Sequence, residues 1–209
     1  MNRTDITYLF ERLRAVASGI LETAFTTFLL LIAVQYFDFG ATAKATIAAA
    51  GALGFMLGPV VVSRVAELGW TTGQAASRLA FGAAGCFGLL AAVNDRWLFI
   101  GGIIAATTMA TAVIPLVTQI YQENYPARRR GKYFSRTAMI RIISAAAFGY
   151  LAGQILTNGE ESNQKLADYP RWLMLIFSVG FMWVAFCFPR LPPQPLTRAK
   201  GTHPFRSLR

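Results

Sequence analysis

Ser18, Glu22 and Thr26 stand four residues apart, so a helix containing them carries two hydroxyls and a carboxylate on one face. Gly19 and Thr23 adjoin that face. All five lie in the apolar run Ala15–Phe37 (AVASGILETAFTTFLLLIAVQYF). A charge at mid-depth in a bilayer costs about 2.5–3.5 kcal/mol on insertion scales, so an acid in such a run needs a reason. One reading is a carboxylate lining a water-filled cavity, where it binds a cationic group or carries a proton. The other is a structural carboxylate near one end of its helix, paired with a basic residue such as Arg141 or solvated at the interface. A second polar set lies in Trp97–Tyr121, where Thr107, Thr111, Thr118 and Gln119 fall close to one face and Pro115 interrupts the backbone bonding. Such a stripe can offer hydrogen bonds to a solute beside a broken helix. Its blander use is back-bonding to its own helix and packing between neighbours.

The elements that position these residues follow from composition. Of the 209 residues 55% are hydrophobic and only 14% charged, against about 25% charged in a soluble domain. The formal net charge of +10 would suggest nucleic acid on a soluble surface, but here the charges sit between long apolar runs. Cys86 and Cys187 both fall inside such runs, so neither a disulfide framework nor a zinc site is expected, and no cofactor.

A helix needs about 20 apolar residues to cross the hydrocarbon core. Six runs qualify: 15–37, 45–65, 75–93, 97–121, 138–156 and 172–188. None alternates with the period of two that a membrane barrel requires. Residues 1–14 contain no apolar core of signal-peptide type, and the run that follows is long enough to remain as a span. With the N-terminus inside, 16 of the 20 Lys and Arg residues fall on the inner side, leaving only Lys44, Arg96, Lys165 and Arg171 outside. The positive-inside rule then makes both termini cytoplasmic. The densest basic stretch, YPARRRGKYFSR (Tyr125–Arg136), holds Arg128, Arg129, Arg130, Lys132 and Arg136. It reads as an inner loop that pins the fourth and fifth spans, not as a nucleic-acid surface, which would want a larger basic face with base-reading elements.

Tyr-Pro, then basic residues, then Arg-Gly-Lys before the next span resembles the fourth-to-fifth cytoplasmic loop of major facilitator superfamily transporters. Six spans with both termini inside match that family's N-terminal half, and the tail THPFRSLR is similar to the stretch leading from its central loop towards a seventh helix. The resemblance implies an all-α membrane protein, residues 15–188 forming a bundle of two inverted three-helix repeats, with 1–14 and 189–209 as cytoplasmic segments. It also implies spans one and four along the central pathway, with spans three and six peripheral. Two features depart from the family. The stretch LGPVVVSRVAELGWTTGQ keeps Gly58 and Arg64 but has Ser63 where an acid belongs and no paired basic residues after it. The fourth span lacks the Arg-x-x-x-Gly pattern of proton-coupled members.

The resemblance makes the expected function secondary transport of a small solute by alternating access, in the cell membrane, by this chain or with a second six-span half. Substrate-pathway candidates are Glu22, Ser18, Thr26, Thr107, Thr111, Thr118 and Gln119; loop or gating candidates are Arg64, Arg128, Arg129, Arg130, Lys132 and Arg141. A non-transporting scaffold or a remnant of a transporter is the alternative. Enzymatic chemistry is not expected. The sole histidine, His203, lies in the tail, no acids cluster at a span end, and the two cysteines are on different spans. Gly54-x-x-x-Gly58 and Gly149-x-x-x-Gly153 should let helix backbones approach closely.

Overall fold

The computed structural model describes residues 3–160 and 169–192. The tail from residue 193, with THPFRSLR and His203, and residues 161–168 of the outer connection lie outside the described residues. Six long helices account for nearly everything described. Helix α1 runs Arg3–Gln35, with a π-helical turn at Ala24–Phe28. It is followed by α2 (Ala41–Glu67), α3 (Thr72–Ala92), α4 (Arg96–Asn124), α5 (Ala127–Glu160) and α6 (Tyr169–Cys187), the last ending in a 3₁₀ turn, Phe188–Arg190.

The starts and stops have local causes. Thr71 closes a capping box on α3, exchanging hydrogen bonds with Gln74 at 3.2 Å in each direction. Asp95 caps α4 by accepting from the Leu98 N–H at 2.7 Å. Gly69, at φ +65°, takes the left-handed turn between α2 and α3. The Pro126 carbonyl accepts from the N–H groups of Arg129 and Arg130, so α5 starts at once after the proline.

Five helices, α1, α2, α3, α4 and α6, are long and apolar enough to cross a membrane. Such a set suggests a multi-pass integral membrane protein. Helix α5 is not among them: the expected fifth span, 138–156, is the later part of a 34-residue helix whose first turns read ARRRGKYFSR. The basic stretch expected as a loop is therefore helical from Ala127 onward. Likewise residues 3–14, expected as a separate segment, are the first turns of α1. Arg64, expected in a loop, lies in the last turn of α2, because that helix continues to Glu67.

Helix α1 packs on α5 and α6, α4 packs on α2 and α3, and α3 meets α6. Small residues set the closest of these approaches. A Cβ on Gly19 of α1 would collide with the Arg141 carbonyl of α5 and come within 2.8 Å of the Ser144 Cβ. On α2, a Cβ at Gly54 would collide with the Thr111 hydroxyl and reach 2.5 Å from the Thr108 carbonyl, while Gly58 lies against Pro115. The second small-residue pair behaves unequally: Gly149 faces the Thr23 methyl, and Gly153 has open space where a Cβ would go. Interior packing is aromatic between α3 and α6, where Phe87 stacks on Phe181 at 5.6 Å and meets Phe177 edge-on at 5.8 Å. Outward faces remain apolar: Phe55, Met56, Ile142, Ile143 and Val179 are all largely exposed, as residues facing hydrocarbon would be.

Because backbone rather than a flexible side chain meets Gly19, Gly19→Ala must push α1 and α5 apart. Thermal unfolding in detergent should show a loss of about 1–3 kcal/mol. Gly85→Ala, where a Cβ meets nothing within 4 Å, should be neutral or gain up to about 1 kcal/mol from helix propensity.

Candidate functional site

At 1.5 Å per residue the 33 residues of α1 span about 50 Å, well beyond a hydrocarbon core of about 30 Å. Its first turns therefore project past the apolar region, beside the last turns of α4, the first of α5 and the 3₁₀ turn after α6. Here the chain buries charge. Glu11 and Thr7 are both fully buried. Arg14 grips the Glu11 carboxylate with two hydrogen bonds, Nε at 3.1 Å and Nη2 at 2.8 Å. It also donates to the Tyr121 hydroxyl at 3.1 Å and the Ser18 hydroxyl at 3.2 Å, and lies 5.3 Å over the Phe188 ring. Tyr121 closes the circuit by donating to Glu11 at 2.5 Å. A few residues away, Arg3 donates to Asn124 Oδ1 at 2.6 Å, and the Thr4 hydroxyl to the Asn124 carbonyl at 3.2 Å. The Tyr125 ring is stacked between Tyr121 and Tyr133, and burial pushes its phenol well above the ordinary range, so it stays neutral.

Just inside this network opens a cavity of about 940 Å³, the upper end of the size range of ligand pockets. Its wall runs along α4 from Ala110 to Gln122, about 18 Å at the helical rise, and is completed by α1, α5, α6 and Ala80 of α3. Ser18 and Glu22 of α1 stand in the wall together with Thr111 and Thr118 of α4. Arg130 and Arg141 contribute from α5 and Arg14 from α1, while Phe25, Val117, Phe181 and Phe188 supply apolar surface.

Glu22 has a partner. Its Oε2 lies 3.0 Å from Arg141 Nε, an ion pair that joins α1 to α5 without the alignment of a hydrogen bond. Nearly half of each side chain is exposed. Gly19 makes this geometry possible, since it lets the Arg141 backbone lie against α1 one turn before Glu22.

The structure thus brings Ser18, Glu22, Thr111, Thr118, Arg130 and Arg141 to one cavity, and leaves the other candidates elsewhere. Thr26 sits in the π-helical turn, whose wider winding rotates it off the Ser18–Glu22 face; its hydroxyl donates to the Glu22 carbonyl at 2.9 Å. Thr107 is buried against α2, its hydroxyl without a partner. Gln119 is half-buried outside the cavity wall, a step of about 100° around α4 from Thr118. Both Thr111 and Thr118 back-bond to their own helix, Thr111 to the Thr107 and Thr108 carbonyls and Thr118 to that of Ile114. Arg64 pairs with Glu67 at 3.1 Å on the surface, and Arg128, Arg129 and Lys132 are exposed outside the cavity. The Glu11–Arg14–Tyr121 network was missed because it lies beyond the apolar run. A signal for it existed, since Thr7, Glu11, Arg14 and Ser18 follow one helical face. Among the described residues no group of three or more His, Cys, Asp or Glu is placed to hold a metal. Compared with family models, curated proteins and solved structures, the chain finds no match.

The two ion pairs should respond very differently to neutralisation. Glu11→Gln leaves the Arg14 charge buried and uncompensated, and should cost on the order of 3–5 kcal/mol. Glu22→Gln removes a half-exposed partner, and should cost at most about 1 kcal/mol. Thermal unfolding of the two purified variants in detergent checks the order.

Proposed function

We propose that the chain is a secondary transporter of the major facilitator type, or its N-terminal half, moving a small solute by alternating access. The observation that carries this reading is a solute-sized cavity whose wall includes Ser18 and Glu22 of α1 and Thr111 and Thr118 of α4. Cavities at repeat interfaces, lined by interrupted helices, are what secondary transporters use. Here α1 carries a π-helical turn and α4 a proline, Pro115, beside the cavity.

The pattern of neighbours also supports a three-plus-three repeat. Exchanging α1, α2 and α3 with α4, α5 and α6 turns the α1–α5 contact into α4–α2 and α1–α6 into α4–α3, and leaves α3–α6 unchanged. In this reading α5 completes a six-span bundle, its apolar later part crossing beside α1. The end bearing Arg3, Arg14 and the basic start of α5 faces the cytoplasm of the cell, following the positive-inside rule. One such bundle has no opposing bundle to rock against, so the chain works with a second six-span half, either its own copy or another chain. Glu22 and Arg141 then act as a gating pair that trades partners as the pathway opens. They join two helices yet remain accessible from the cavity.

Membrane vesicles from expressing cells, supplied in turn with a panel of radiolabelled organic solutes, test the reading. At least one solute should accumulate above vesicles from cells lacking the chain. Glu22→Gln should return that uptake to the background level while expression stays normal. Uptake at background for every solute, with the chain correctly inserted, would instead favour a non-transporting scaffold.

A further inference from the structure

Three arginines, Arg14, Arg130 and Arg141, line the cavity, but only one acidic residue, Glu22. Two of the cations are already matched. Arg14 is held by the buried Glu11 carboxylate behind it, and Arg141 by Glu22. Arg130 is not: among the described residues no carboxylate lies within ion-pairing distance of it. Its Nη2 donates to the carbonyls of Gln122 and Tyr125, at 3.0 and 3.3 Å, which fixes the head group against the end of α4. Its Nε is buried without a partner, and no hydrogen bond occupies Nη1. A guanidinium carries five donors, and a buried cationic donor left unmatched is costly. The neighbouring Glu123 does not relieve it, since that side chain stands outside the cavity wall and forms no ion pair.

The rest of the wall is of the opposite character. Phe25, Val113, Val117, Phe181, Val184 and Phe188 make most of the wall apolar. Beside a single unmatched guanidinium, such a wall suits a molecule with one negative group and an apolar body. An oxyanion can accept a charge-assisted N–H bond from the open Nη1 and neutralise the guanidinium, which a cation or a neutral polar group cannot do. Ala127, the first residue of α5, also lies in the wall, so the positive end of that helix adds to the same field.

We infer that the cavity binds an amphipathic monoanion, its acidic group on Arg130 and its apolar body along the α4 and α6 faces. The inference rests on reading this cavity as a solute site, and it names the solute's class. Two sources share that chemistry: a soluble organic anion and the head group of an acidic lipid.

The test uses the full chain in phosphatidylcholine nanodiscs, with equilibrium dialysis of naphthalene-2-sulfonate and of 2-naphthylmethylammonium, and empty nanodiscs as the blank. The sulfonate should bind saturably, one per chain, at least tenfold more tightly than the ammonium. Arg130→Gln should weaken the sulfonate at least tenfold, and Arg128→Gln, at an exposed position outside the wall, should leave it unchanged. Equal binding of the two probes would overturn the proposal, and so would unchanged sulfonate binding in Arg130→Gln. The comparison of the two probes needs only the unaltered chain, so it decides even where the variant fails to fold. Added phosphatidylglycerol that displaces the sulfonate identifies a lipid as the source; undisturbed binding identifies a soluble anion. Sulfonate binding with no vesicle uptake of any solute would uphold the anion site and reject the transport reading. Uptake of a solute by a chain that prefers neither probe would do the reverse.

Discussion

A carboxylate with no exposure to solvent holds a guanidinium at the end of α1, and the neighbouring helices are arranged around that pair. Removing Glu11 and Arg14 from water costs several kcal/mol per ion, which their attraction repays only when the remaining donors and acceptors are also satisfied. No single helix can meet that demand. Tyr121 from α4 bonds to both members, the Ser18 hydroxyl takes another Arg14 donor, and Phe188 at the end of α6 covers the guanidinium. The pair therefore draws three helices together at one level of the bundle. The cavity begins immediately inside that level, with Arg14 and Tyr121 shared between network and wall.

The second ionic contact, Glu22 to Arg141, serves a different purpose. It is half-exposed, so it contributes little to stability, but it holds a carboxylate in place at the cavity. Its geometry depends on packing rather than on charge. Gly19 brings the α5 backbone against α1, and Gly54 brings α2 against the Thr111 turn of α4. Small residues thus set the closest helix approaches around the space, and the charged residues determine what it can hold.

Much of this was legible in the sequence, for a definite reason. Apolar runs reveal the part of a helix that meets hydrocarbon, so five of the long apolar helices and the Ser18–Glu22 and Thr111–Thr118 faces could be read from spacing alone. The ion pair between Glu22 and Arg141 joins the acid to the basic residue near the start of the expected fifth span. The same method cannot see the polar ends of helices. Ala, Arg and Lys propagate a helix as well as apolar residues do, so Arg3–Arg14 and Ala127–Arg136 are helical although they read as a segment and a loop. Thr26 shows another limit: a π-helical turn changes the phase of a face, and nothing in AFTTF announces one. Thr107 and Gln119 lie outside the cavity wall for a third reason. Four polar positions on α4 span a broader arc than the face that meets the cavity, which takes in only Thr111 and Thr118 of the four.

Central to the account is a largely apolar cavity with charged residues in its wall, which opens at one end of the bundle and, in a transporter, becomes reachable in turn from both sides of the membrane. The most direct measurement is labelling of a single cysteine at position 18, Ser18→Cys in a chain carrying Cys86→Ala and Cys187→Ala. A membrane-impermeant maleimide is applied to right-side-out and to inverted vesicles from expressing cells. Alternating access predicts labelling in both orientations, because each conformation exposes the cavity to one side. Labelling confined to one orientation would contradict it, and would leave a static pocket on one face of a membrane protein.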